Sequence, residues 1–287
     1  MPLLTHYQIF FQYHMTIFAR RGNIRVQKMP YKEPFMDQSQ LICCILDIGE
    51  LLLTSGAEVN RVEDTILRIC NSYHFQRCDV HAINSSIILT GQLPDHPIET
   101  QLRRIYSFET NLNTVQLVNE LSRYICKHTP DLPVIQREIQ RIRGEKGYPS
   151  WAVYVAYGVV ASSFALFFGG NMVDFVLAAL SAVTMRFVSV YLQKIHINKM
   201  VESFLLSALC TAFALLCCGL LSAGHYDKII IGNIMLLIPG LAFCNGLRDL
   251  IVGDTISGGL SLCNALLCAL AIALGFVVIW MPMRILL

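Results

Sequence analysis

The chain has 287 residues, of which 54% are hydrophobic and only 15% charged, with a net charge of +2. Soluble globular proteins carry about 25% charged residues, so an ordinary soluble fold does not account for the whole chain. There is no long basic run and no interleaving of aromatic and basic residues, which argues against a nucleic-acid partner.

The charge deficit is local. Of the 42 charged residues, 31 precede Trp151 and 11 follow it. That break predicts two domains meeting near Gly144–Ser150. The eleven cysteines form no CxxC pair, and several lie inside apolar runs. They read as reduced thiols packed as small hydrophobes rather than as a disulfide framework. The eight histidines lack metal-ligand spacing, so no metal site and no cofactor is expected.

Within residues 1–35, Leu3 to Ala19 is an apolar stretch dotted with polar residues, followed by Arg20, Arg21, Arg25 and Lys28. A signal peptide has its basic residues before the apolar core, so a short amphipathic or disordered extension is expected instead. Met15, Met29 and Met36 are alternative starts that would make this segment a start-site artefact. Residues 36–149 read as a small α+β domain. Gln38–Thr54 has apolar residues at helical spacing, Gly56 breaks the pattern, and Glu58–Tyr73 gives a second helix. In that helix Glu63, Asp64 and Arg68 are expected to face solvent. Short β-like runs follow at Cys78–Ile83, Ser86–Thr90 and Arg103–Phe108, with a turn at Pro94 and Pro97. Thr114–Lys127 and Val134–Arg143 read as helices.

Residues 150–287 read as a transmembrane domain. A spanning helix needs about 20 predominantly apolar residues, and five such runs occur at 151–168, 172–192, 201–223, 229–247 and 260–281. The predicted fold class is therefore a five-span α-helical membrane bundle preceded by a small cytoplasmic α+β domain. Arg137, Arg141, Arg143 and Lys146 precede the first span, and Lys194 and Lys199 follow the second. No basic residue lies between the first two, and only Lys228 follows the third. Arg248 follows the fourth and Arg284 the fifth. Basic residues concentrate on the cytoplasmic side, which predicts a cytoplasmic N-terminal domain and an outside C-terminus.

The fourth run is interrupted by Pro239-Gly240, with Asn245, Arg248 and Asp249 within about two turns and Asp254, Ser257, Gly258 and Gly259 beyond. Proline removes a backbone donor, and broken helices in lipid are tolerated where protein or a water-filled cavity satisfies the freed groups. Transporters use such breaks to face substrate or ion; the plain alternative is a kink near a helix end. Arg186 and Asp174 are charges inside the second run, where ionisable groups are functional candidates. Asp174 lies near enough to its loop to be solvated, and Arg186 is long enough to snorkel. No nucleophile elbow is present, Glu63 and Asp64 point to different helix faces, and Gly253–Gly259 lacks the lysine of a phosphate loop. No catalytic residue is assigned.

The run Ile238-Pro239-Gly240-Leu241, Asn245-Gly246-Leu247-Arg248-Asp249-Leu250, Gly253-Asp254 and Gly258-Gly259-Leu260 resembles the signature of the threonine/serine exporter family. Upstream, Ser55-Gly56-Ala57-Glu58 and Arg61-Val62-Glu63-Asp64-Thr65 are similar to that family's N-terminal motif. The resemblance runs from about Gln38 to the end. It implies a cytoplasmic domain followed by membrane helices, and in this chain the larger subunit of the split type, acting with a smaller membrane partner. It further implies multi-pass insertion in a bacterial cytoplasmic membrane and export of threonine, serine or C4-dicarboxylates such as succinate, driven by an ion gradient.

Carried onto this sequence, the resemblance places Pro239, Gly240, Asn245, Arg248 and Asp249 near the transport path, and Arg186 is kept beside them as a candidate from its depth. Arg248 would attract a carboxylate, and Asp249 would pair with Arg248 or carry a proton. Gly56, Glu58, Val62 and Glu63 mark the cytoplasmic motif, with Glu58 and Glu63 fixing packing or docking. The expected partners are that smaller subunit, a small-molecule substrate and the lipid bilayer, with homo-oligomers left open. Two other classes compete: a membrane-anchored sensor or regulatory subunit, and a membrane-bound hydrolase.

Overall fold

In a computed structural model, the apolar spacing of Leu41, Ile42, Ile45, Leu46 and Leu52 builds α1 (Gln38–Thr54), which buries that whole stripe. The structure describes residues 37–106, 108–145, 147–195, 197–221 and 223–286, with side chains up to residue 283. The expected N-terminal extension, Lys146 and the Arg284 side chain lie outside what is described. Helix α1 ends where Gly56 takes φ +89°. Its N–H reaches Leu53 O at 3.2 Å, while Ala57 N–H reaches Leu52 O at 3.0 Å. That left-handed closing turn favours a glycine just past the helix.

Helix α2 (Val59–Ser72) follows, and then three antiparallel strands, β1 (Arg77–Ile83), β2 (Ser86–Gln92) and β3 (Glu99–Arg104), in the order β1-β2-β3. The β1–β2 register pairs Ile83 with Ser86, leaving the two-residue turn Asn84–Ser85. Ile87 and Leu89 point from β2 into the core against α1 and α2. Helices α3 (Leu112–His128) and α4 (Leu132–Arg143) close the other side with Val118, Ile125, Ile135 and Ile139.

The third strand lies four residues earlier than its sequence pattern predicts. Strand β2 begins at Ser86, which pairs with Arg104; beyond that point β2 offers no ladder, so Tyr106 and Phe108 fall in the connection to α3. Glu63 also differs from expectation. It is not a free surface charge: Oε1 accepts the Ala82 N–H at 2.6 Å, tying β1 to α2.

The membrane half consists of α5 (Ser150–Phe167), α6 (Met172–Lys194), α7 (Lys199–Leu221), α8 (Tyr226–Leu237), α9 (Gly240–Val252) and α10 (Thr255–Leu286). Four of these are long and apolar enough to cross a membrane. The bent pair α8–α9 is a fifth if it counts as one span. Neither half of that pair, at 12 and 13 residues, covers the ~30 Å hydrocarbon core alone. Small residues let these helices touch. A Cβ on Gly232 of α8 would lie 2.6 Å from Ala161 O on α5, and one on Gly275 of α10 would collide with Phe204 O on α7. Close backbone approach is a principal source of attraction where lipid removes the hydrophobic drive.

Asp174 corrects an expectation. It is fully buried rather than solvated. It completes a capping box with Asn171 at the start of α6 and also accepts the His225 backbone N–H at 2.6 Å and Nδ1 at 3.0 Å. A carboxylate with three donors at a helix N-terminus is electrostatically satisfied without water.

Candidate functional site

The site begins at the interruption of the fourth span. Ile238 is extended (φ −63°, ψ 124°), as a residue before proline must be, and the axes of α8 and α9 diverge by 51° at this point. Ile238 N–H still reaches Ile234 O at 3.2 Å, Gly240 N–H turns back to Ile238 O at 2.8 Å, and Phe243 N–H restarts the ladder on Pro239 O at 3.0 Å. Pro239 has no N–H for Met235 O, and the Gly240 N–H is diverted from Leu236 O. Two carbonyls at the negative end of α8 therefore lack their helical donors beside the N-terminus of α9. A Cβ on Gly240 would meet nothing within 4 Å, so the break faces open space.

One to two turns further along α9, the two sequence motifs meet. Asn245 Nδ2 donates to Gly56 O at 3.0 Å, and Arg248 Nη1 to Glu58 Oε1 at 2.6 Å. Asp249, 3% exposed, is turned towards the Val59 backbone N–H at the start of α2. Glu58 is the N-cap residue of α2 by conformation, yet its side chain makes no capping bond because it is turned towards Arg248. Asp249, from the membrane half, supplies the carboxylate that the N-terminus of α2 attracts.

The site residues thus sort by role. Gly56 and Glu58 face the membrane half, Val62 is fully buried in the core, and Glu63 holds the sheet. Glu58, Asn60, Arg61, Asp64, Arg248, Asp249 and Val252 line a cleft of about 400 Å³.

The dock has a second contact that the sequence did not single out. Asn84, in the β1–β2 turn, donates to Ser257 O at 3.2 Å and to Ser261 Oγ at 2.8 Å. Asn84 and Ser85 carry a turn signal, and nothing local marks a partner 173 residues away. The loop between α9 and α10 is set by Gly253 at φ +110°, whose N–H bonds to Asp249 O at 3.1 Å. The fifth span consequently starts at Thr255 rather than Leu260. Its polar first turn is helical because it docks, which hydropathy does not register.

Arg248 does not pair with Asp249; its partner is Glu58. Arg186 stays apart from both the break and the dock. Its guanidinium lies 5.3 Å over the Tyr157 ring on α5, with Nε buried and lacking a hydrogen bond. That is a cation–π seat. Glu202 is buried in the first turns of α7, with Ser189 Oγ at 2.6 Å, Gln193 Nε2 at 3.2 Å and Lys199 Nζ at 3.1 Å, a set that neutralises it in place. Among the described residues no three His, Cys, Asp or Glu gather as a cation site, and the cysteines are free thiols.

In comparison with known proteins, the family model of the threonine/serine exporters, ThrE, matches residues 44–283. No curated protein and no solved structure matches the chain significantly.

Proposed function

The chain belongs to the threonine/serine exporter family, and from that premise we propose that it exports threonine, serine or a similarly small amino acid through the break between α8 and α9. The observation carrying this reading is the meeting of the two motifs: Asn245, Arg248 and Asp249, just past the break, bind Gly56, Glu58 and the start of α2. Movement of the cytoplasmic domain would then be felt at the break, and the reverse.

The chemistry of the site supports an amino acid. The carbonyl end of α8 suits an ammonium, the N-terminus of α9 suits a carboxylate, and the cleft beyond mixes Arg61 and Arg248 with Glu58, Asp64 and Asp249. C4-dicarboxylates such as succinate are the second reading, favoured by the two arginines. The membrane is proposed to be the bacterial cytoplasmic membrane, with the N-terminal domain inside and the C-terminus outside.

A smaller membrane subunit of the same family is the proposed partner. Asn264, exposed on α10 within a span, is the kind of polar side chain that a neighbouring helix covers.

The test is efflux from cells preloaded with threonine, serine or succinate, expressing the chain with and without a candidate partner. Threonine or serine efflux above control cells, lost in Arg248→Ala, is expected. Correctly inserted protein that moves no cargo, with a verified partner present, would favour the regulatory reading.

A further inference from the structure

The connection between β3 and α3 leaves large apolar side chains in the open: Tyr106 is 84% exposed, Phe108 56% and Leu112 60%. Both of its ends are pinned beside the membrane half. At one end Ile105 N–H bonds to Ser85 O at 2.9 Å, next to Asn84, which holds Ser257 and Ser261 of α10. At the other, Glu109 N–H bonds to Thr54 O at 2.9 Å and Asn111 N–H to Ser55 O at 3.1 Å. The adjacent Gly56 O holds Asn245 of α9. At this same end of the membrane half α9 ends and α10 begins with the exposed apolar side chains Ile251, Ile256 and Leu260.

We propose that Tyr106, Phe108 and Leu112 insert into the interfacial layer of the bilayer on the side of the cytoplasmic domain, anchoring that domain to lipid as well as to α9 and α10. A cluster of exposed apolar side chains marks a contact surface, and its continuity with the exposed apolar side chains at the end of α9 and the start of α10 selects the bilayer as occupant. The side chains fit headgroup depth. The Arg104 guanidinium stacks 5.3 Å over the Tyr106 ring, and amphipathic tyrosine and long arginine stems favour that layer. Glu109, exposed in the same segment, offsets the charge of Arg104. Attraction therefore comes from apolar burial rather than from anionic lipid, and it is insensitive to salt.

The experiment places p-benzoylphenylalanine at Phe108 or Tyr106 in the full chain, in nanodiscs of phosphatidylcholine with phosphatidylglycerol. The control position is Ile98, 52% exposed at the β2–β3 turn, the far end of the sheet. After irradiation, lipid adducts at positions 106 and 108 are expected to exceed those at 98 several-fold, equally in low and high salt. Phe108→Trp in a background with Trp151→Phe and Trp280→Phe, its emission quenched by brominated phosphatidylcholine, reads the same contact without a cross-linker. Adducts no more abundant than at position 98, Phe108→Trp emission indifferent to brominated lipid, or cross-links to a second copy in place of lipid would each overturn the proposal.

Discussion

Pro239→Ala is expected to lower efflux about tenfold or more without preventing folding or membrane insertion. Alanine restores the N–H that Met235 O lacks and removes a penalty of about 3 kcal/mol against a continuous helix. Straightening the 51° bend would carry Arg248, eight residues past Gly240, by roughly 10 Å at 1.5 Å per residue. That exceeds any side-chain adjustment, so the bonds to Glu58 and Gly56 would be lost together with the α8 carbonyls that lack helical donors. Efflux from preloaded cells and thermal unfolding of the purified protein check the two halves of this expectation. Wild-type efflux from Pro239→Ala would mean that the break has no part in transport.

The largest stability effect is expected from one member of a glycine pair and not from its neighbour. A Cβ on Gly258 would lie 2.7 Å from both Gly246 O and Leu250 N, whereas one on Gly259 would meet nothing within 4 Å. The atoms in the way at Gly258 are mostly backbone, so α9 and α10 must separate. Gly258→Ala should cost about 1–3 kcal/mol, seen as a lower unfolding temperature and poorer yield. Gly259→Ala should be neutral, or stabilising by up to about 1 kcal/mol through helix propensity. Equal effects at the two positions would contradict the close packing of α9 on α10.

Much of this architecture is legible in local sequence. The helix over Gln38–Thr54 follows from an unbroken apolar period, and the interruption at Pro239 follows from a missing donor that no context restores. What escaped has a non-local cause in each case. Strand β3 is positioned by where β2 begins, and edge-strand side chains carry little pattern of their own. The start of α10 is helical because Asn84 docks on it. Asp174 is buried because His225, 51 residues away, closes over it. The pairing of Glu58 with Arg248 spans 190 residues, and no periodicity encodes such a contact; the resemblance pointed to both residues but not to each other.

The central claim, that the two motifs act as one unit at the junction of the halves, is tested most directly by exchanging their charges. Arg248 is 66% exposed and Glu58 17%. A pair with one partner so open contributes roughly 0–1 kcal/mol to stability, so any large effect on transport is not one of folding. Threonine efflux would be measured for Arg248→Glu, Glu58→Arg and the double exchange, at matched levels of membrane-inserted protein. Each single reversal is predicted to lower efflux about tenfold, within the usual range for coupled sites, and the double exchange to recover most of it. Single reversals that transport like the wild type, or a double exchange no better than either single, would contradict the account.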